Sequence, residues 1–302
     1  MTTEKTMTRA DHYMAEDIKN ILKNGYKDEN PRPKYADGTP AYTFSVNHNV
    51  RKYDLSAGDF PVLTLRRMAW KTGIREIFTI YQKPTNKISE MKELGVTWWD
   101  PWDIGDGTIG QRYGATVARY DLIKNLIADI EKDPYGRRKV VSLWQETDLK
   151  ETPGLAPCAF LTIWNVRGKY LDMMMTQRSG DMLTASGAGG INEIQYAALL
   201  MMIARHTGYE PGVFTHIVAN EQIYDRHVEQ ANELLRRYEE KQKEENAGRT
   251  ESGAAESAGQ PPKQPQLILK PEAKDFYSVT IDDFEMIDYD PMTPQLKLEL
   301  GI

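Results

Sequence analysis

Cysteine is nearly absent: Cys158 is the only one in 302 residues. A single thiol closes no internal disulfide and builds no cysteine-based zinc or iron–sulfur site. It is left to be either a buried bystander or a nucleophile. Histidine is also scarce, at 5, and His227 has no second histidine in ligand spacing, so no metal site is expected. Long apolar runs are missing. The longest, Ala197 to Ala204, is far too short to span a bilayer, and the first residues lack the apolar core of an export signal. One cysteine and no such signal point to the cytoplasm. Basic excess is lacking too: the net charge of −6 disfavours a nucleic-acid surface, so neither DNA nor membrane is an expected partner.

Apolar residues make up 40% of the chain, ample for one large domain with a normal core. Met14, Ile18, Ile21 and Leu22 recur at helical spacing and stop at Asn24-Gly25. Ile74, Ile77, Phe78 and Tyr81 predict a second helix, and Leu122 to Ile130 a third, ended by Asp133-Pro134. Strands are predicted over 41–46, 139–144, 158–166 and 169–176, the last two joined by a tight turn at Arg167-Gly168. Glu193 to His206 reads as a buried helix, and 213–218 as a strand leading into a helix from about Gln222. From Glu239 to Gln266 no aromatic or large aliphatic residue occurs, which predicts a flexible low-complexity insertion. The end, Gln295 to Ile302, alternates like a strand. Segregated helices and antiparallel strands favour an α+β class.

Several residues suit chemistry on a flat anion, though each has an ordinary structural account. Arg137-Arg138 at an element boundary suits bidentate recognition of a phosphate or carboxylate, or is a solvated pair. Gln177-Arg178-Ser179-Gly180-Asp181 ends a strand with a guanidinium, a hydroxyl and a carboxylate, beside the strand of Cys158. Glu76 lies on an apolar helical stretch, where a carboxylate needs a salt bridge or a raised pKa. Trp98, Trp99 and Trp102 stack a heterocycle or pack the core. Asn192 offers an amide to a pyrimidine edge. Tyr224 and His227 are spaced for one helical face, and Tyr113 falls in a loop. Taken together, these residues suggest attack by a thiolate whose pKa nearby arginines lower.

In this order the residues resemble the thymidylate synthase family over nearly the whole chain. The matching elements are Asp37-Gly38-Thr39-Pro40-Ala41, Phe60 to Thr64, Trp99-Asp100 with Trp102, Asp106 to Gly110, and Arg137-Arg138. To these add Leu155-Ala156-Pro157-Cys158, Gln177-Arg178-Ser179, Asn192 with Tyr196, Tyr224 with His227, and Ile302. Only 239–266 has no counterpart. The resemblance implies one catalytic domain over 1–302, a mixed sheet with helices on one side, and a sheet face used for homodimerisation. It implies reductive methylation of dUMP to dTMP by methylenetetrahydrofolate, with no metal. Cys158 would add to carbon six of the pyrimidine, with Glu76 managing protons and Tyr113 positioning the nucleophile. Arg32, Arg178 and Ser179 would hold the phosphate, with Arg137 and Arg138 donated by the partner subunit. Asn192 would read the base, Gln177 would belong to the substrate site, and Gln222 and Tyr224 would meet the sugar. Trp99, Trp102 and Asp181 would contact the folate, and Ile302 would close the tail. Arg66 and Arg67 would face the folate tail or the phosphate.

Departures surround the nucleotide. The glycine-rich Ser186 to Ile191 lengthens the path from Asp181 to Asn192, Gln222 replaces the usual histidine, and Ala159 stands where many members have histidine. They leave a 5-hydroxymethylase of CMP, dCMP or dUMP as the alternative within the family. Asn192, where cytosine-acting members often carry an acid, favours uracil. A non-enzymatic nucleotide binder is a third reading, opposed by the complete catalytic set.

Overall fold

A computed structural model describes residues 7–251, 264–273 and 275–301, with side chains omitted for 248–251. Thr8 opens the first helix, α1 (Arg9–Asn24), with a capping box: its hydroxyl accepts from the Asp11 amide and Asp11 accepts from the Thr8 amide, each at 3.1 Å. The helix stops at Gly25, as the sequence predicts. There follow β1 (Tyr26–Lys27), β2 (Thr43–Asp54), and α2 (Trp70–Ile77), which runs on as a π turn to Gln82. Then come α3 (Ile88–Glu93), α4 (Gly114–Arg119), α5 (Leu122–Lys132), β3 (Val140–Ser142) and α6 (Glu146–Glu151). The central hairpin is β4 (Ala159–Arg167) and β5 (Tyr170–Gln177), followed by β6 (Gly180–Asp181) and α7 (Ile191–His206). The chain closes with β7 (Glu210–Tyr224), α8 (Val228–Glu251), β8 (Gln266–Leu269) and β9 (Phe284–Ile287).

The main sheet has the order β1-β2-β7-β5-β4-β3, with β6 also on β7. It is mixed, since β5 and β6 run parallel to β7 and the other pairs are antiparallel. Alternation along β5 buries Leu171, Met173 and Met175. α1 packs on β2, and α7 on β5 and β7. α7 is apolar nearly all round and almost wholly buried, as a central core helix should be. The α+β arrangement is the expected one.

Four local expectations change. Strand β2 extends far beyond 41–46, and β7 runs through Gln222 to Tyr224, because the two pair continuously from Thr43↔Tyr224 to Asp54↔Val213. Tyr224 therefore ends a strand while His227 sits in the 3-10 turn Asp225–His227, their rings edge to face at 5.5 Å. Residues 239–251, within the predicted insertion, continue α8. Their Glu, Lys and Arg are strong helix formers, and Lys241 is pinned to buried Asp11 at 3.2 Å. Residues 252–263 of that stretch lie outside the described residues. Residues 295–301 form no strand. Side chains take their carbonyls instead: His227 Nε2 donates to Glu299 O at 2.7 Å and Gln230 to Lys297 O at 3.3 Å.

Candidate active site

A cavity of about 1030 Å³ opens between the β4–β5 hairpin, α2, α7 and the C-terminal tail. Cys158 lies on its wall just before β4, half-buried. Register brings Arg178 alongside, with its amide donating to the Cys158 carbonyl at 2.9 Å. The Arg178 guanidinium donates to the carbonyls of Pro157 and Ala156 at 3.0 and 2.9 Å, and Nη2 stands 3.5 Å from Cys158 Sγ. Those protein partners are neutral, so the guanidinium charge is left for an anion. The Cys158 amide donates to the Tyr113 hydroxyl at 3.2 Å. Tyr113 is buried with φ +48, a left-handed conformation rare outside glycine, and packs against Trp99 at 5.1 Å. Burial pushes the Cys158 thiol up, against the pull of Arg178, Tyr113 and Arg32. The expected net lowering by arginines is thus reversed, because the pocket desolvates the thiolate.

Glu76 projects from α2 into the same cavity. No ion pair reaches it among the described residues. Instead Oε1 accepts from Trp98 Nε1 at 2.7 Å and from Trp99 Nε1, and Oε2 from Gln195 Nε2. Burial raises its pKa, opposed by those three donors. A buried carboxyl with a raised pKa keeps its proton more readily than an exposed glutamate, as a group that gives and takes protons needs. The salt-bridge account of Glu76 therefore gives way to the other one. Two of the three clustered indoles serve the acid directly.

Side-chain amides line the opposite wall. Asn192, in the first turn of α7, donates from Nδ2 to Gln195 Oε1 at 3.0 Å. Its Oδ1 accepts from Ser186 Oγ at 3.0 Å and Gln177 Nε2 at 3.3 Å. Ser186 belongs to the lengthened glycine-rich stretch, whose turns need Gly189 at φ +64. A Cβ there would meet the Leu63 amide at 2.3 Å.

A thymidylate synthase family model matches residues 12–302. The chain belongs to the thymidylate synthase family. It is 44% identical to the thymidylate synthase of Lactococcus lactis subsp. cremoris (strain SK11), over 98% of this chain and 100% of that protein. Identity to the Streptococcus pneumoniae (strain 70585) thymidylate synthase is 43% over the same shares. The fold is similar to that of thermostable thymidylate synthase A from Bacillus subtilis, with TM-score 0.82, 31% identity, and 97% and 99% of the two chains covered.

Most residues singled out by the thymidylate synthase resemblance meet at this cavity. Arg32, Ser179, Gln222, Tyr224, Asp181 and Trp102 all line it. Asp181 caps the turn Met182–Ser186, and its pKa is raised by burial against the pull of His227, whose Nδ1 is 4.0 Å away. Trp102 stands edge to face with Trp99 at 5.6 Å. Arg137 and Arg138 do not come to the cavity of their own chain; both are exposed before β3. Arg66 is not among the residues lining the cavity: it is buried and donates to the Leu183 and Thr184 carbonyls. Arg67 is exposed away from the cavity. Ile302 lies outside the described residues, while Leu300 and Gly301 line the cavity mouth.

Sequence reasoning missed Gln195 and Ser186. Gln195 had a signal, being a polar side chain within an otherwise apolar stretch of the thymidylate synthase core helix. Ser186 had none, because only the turn geometry aims its hydroxyl at Asn192. Among the described residues no group of His, Cys, Asp or Glu is arranged to hold a metal, and no helix is long and apolar enough to cross a membrane.

Proposed function

We propose that the protein converts dUMP to dTMP, with Cys158 adding as thiolate to carbon six of the uracil. The observation that carries this reading is the Arg178 guanidinium, 3.5 Å from Sγ and otherwise spent on neutral carbonyls, in the cavity shared by Glu76 and Asn192. It offers charge to a phosphate and favours the thiolate that burial disfavours. Arg32 and Ser179 complete the phosphate cradle, and Tyr224 and Gln222 meet the sugar. Tyr113 fixes the backbone at Cys158, and Glu76 takes and returns a proton at the base through its Oε2 edge.

Methylenetetrahydrofolate, when bound, supplies the one-carbon unit and the hydride. The residues present fit it: the cavity is ample for a nucleotide plus a flat bicycle, Trp99 and Trp102 form an aromatic wall, and Asp181 offers a half-buried carboxylate. Leu300 and Gly301, which line the cavity, act as the closing tail that excludes water.

The reading takes 1–302 as one catalytic domain of a cytoplasmic homodimer in which Arg137 and Arg138 serve the partner's phosphate site. Supporting the dimer are their exposure and an incompletely covered sheet face. Val50 and Val140 are 51% and 50% exposed, and Leu161, Ile163 and Met174 only partly buried. Mixing Cys158→Ser with Arg138→Ala chains should then restore activity that neither has alone. The deciding assay supplies dUMP and methylenetetrahydrofolate. Absorbance should rise as dihydrofolate forms, with dTMP identified by mass. A hydroxymethyl nucleotide without dihydrofolate would overturn the proposal.

A further inference from the structure

Beneath the base-binding wall lies a set of buried charged groups that the reaction above does not use. His216 on β7 and Arg51 on β2 are opposite partners in register, and both are at most 1% exposed. Glu193 of α7 sits between them. Its Oε1 is 2.9 Å from His216 Nδ1 and 3.3 Å from Arg51 Nη1, and its Oε2 accepts from Tyr53 at 2.7 Å and from the Gly189 amide at 2.6 Å. Arg51 also pairs with Asp17 of α1 at 2.7 Å and with Glu221 of β7. The other imidazole nitrogen, Nε2, is 3.1 Å from Gln177 Oε1.

Hydrogen-bond bookkeeping assigns every proton in this chain. Gln195 Nε2 donates to the Gly73 carbonyl at 3.2 Å, a pure acceptor, and to Glu76 Oε2. Its Oε1 therefore faces Asn192, which must present Nδ2 there and Oδ1 toward Ser186 and Gln177. From the other end, Gln177 Nε2 donates to the Ser179 carbonyl at 3.1 Å, so Oε1 is the atom that meets His216 Nε2. A carbonyl oxygen only accepts, so Nε2 is the nitrogen that presents N–H to Gln177. Glu193 stays an acceptor: burial works against its ionisation, but His216 and Arg51 hold its pKa below the ordinary glutamate value.

We propose that His216 is a positioning residue, its Nδ1 anchored on Glu193 and its Nε2–H donated to Gln177 Oε1, that locks Gln177 and through it the Asn192 amide in the orientation that selects uracil. Oδ1 of Asn192 is then engaged by Ser186 and Gln177, and the free capacity is the second N–H of Nδ2. That N–H matches the O4 acceptor of uracil and opposes the N4 donor of cytosine. A neutral ring protonated only at Nδ1 would turn the Gln177 amide, setting oxygen against the Ser179 carbonyl and Asn192 Oδ1. The charged or titratable groups facing this ring set are Glu193, Arg51, Tyr53, Glu221 and Asp17. The inference rests on the pyrimidine-nucleotide reading above.

Nitrogen-15 NMR of the full chain, with its 5 histidines assigned by difference from His216→Gln, tests the donor directly. His216 Nε2 should carry a proton under turnover conditions; a bare Nε2 overturns the proposal. Kinetics test the consequence. His216→Phe should lose preference for dUMP over dCMP by about tenfold or more, mainly through KM for dUMP. His216→Gln, which keeps an N–H for Gln177, should recover part of it. A folded His216→Phe enzyme with undiminished preference also overturns the proposal. Should that variant not fold, the NMR result alone decides. Wild-type protein that consumes no dUMP would sink the functional reading, while the spectrum still settles the state of His216.

Discussion

Arg51 and Arg178 are anchored by the same sheet and put to opposite use. Arg51 is 1% exposed and surrounded by Asp17, Glu193 and Glu221, so its charge is consumed inside the protein. Arg178 is half-buried, spends its donors on neutral carbonyls and leaves its charge facing Cys158 and the cavity. The carboxylates divide in the same way. Glu193 is flanked by the Arg51 guanidinium and a His216 hydrogen bond, which hold its pKa down, whereas Glu76 has only neutral donors and burial pushes it toward its acid form. A saturated charge cluster makes a rigid foundation, and an undersaturated one makes a reactive site.

The contrast can be broken most severely at the thiol. Cys158→Ser should reduce turnover by about three orders of magnitude or more with little change in melting temperature. Single-turnover product analysis checks the first and calorimetry the second. The inverse outcome is expected under the sheet. Arg51→Met leaves three acids without their shared cation and should cost about 3–5 kcal/mol in denaturant unfolding. If it instead leaves stability intact, the buried cluster is no foundation.

Glu76 provides a test by pH. Its folded pKa lies above the ordinary glutamate value, so the folded state binds the proton more tightly than the unfolded one. The stabilising effect is full below the unfolded pKa and is lost as pH rises through the raised folded pKa. Unfolding free energies measured from acid to neutral pH should therefore fall more steeply for wild type than for Glu76→Gln. Parallel curves would mean that Glu76 is ionised without cost. The smallest effect is expected at α8. Lys241→Met should destabilise by about 1–2 kcal/mol, since Asp11 keeps donors from Thr8 and Thr64. A matched chemical-denaturation pair measures it.

The fold was legible wherever one period dominated. The Leu171-Met173-Met175 alternation, the α1 stripe closed by Gly25 and the apolar stretch of α7 each point to one structure. Legibility failed where partners distant in sequence overrode local pattern. Gln222 lies in a strand because β2 continues alongside it, and 239–251 is helical although its composition suggested flexible chain. At 295–301 alternation predicted a strand, but His227 and Gln230 took the carbonyls that a neighbouring strand would have used.

Residue chemistry by itself determined that a lone thiol, dispersed arginines, an isolated carboxylate and one amide would matter, because these groups are costly to keep without a use. It did not determine their state. Whether Cys158 is helped or hindered in ionising, whether Glu76 finds a cation or two indoles, and which way Asn192 presents its amide all depend on what stands within about 3–4 Å. Those neighbours come from the indole loop at 98–99, the residue that opens α4, the end of β5, the turn before α7 and α7 itself, segments far apart in the chain. Only their packing decides which charges are consumed and which are left for a substrate.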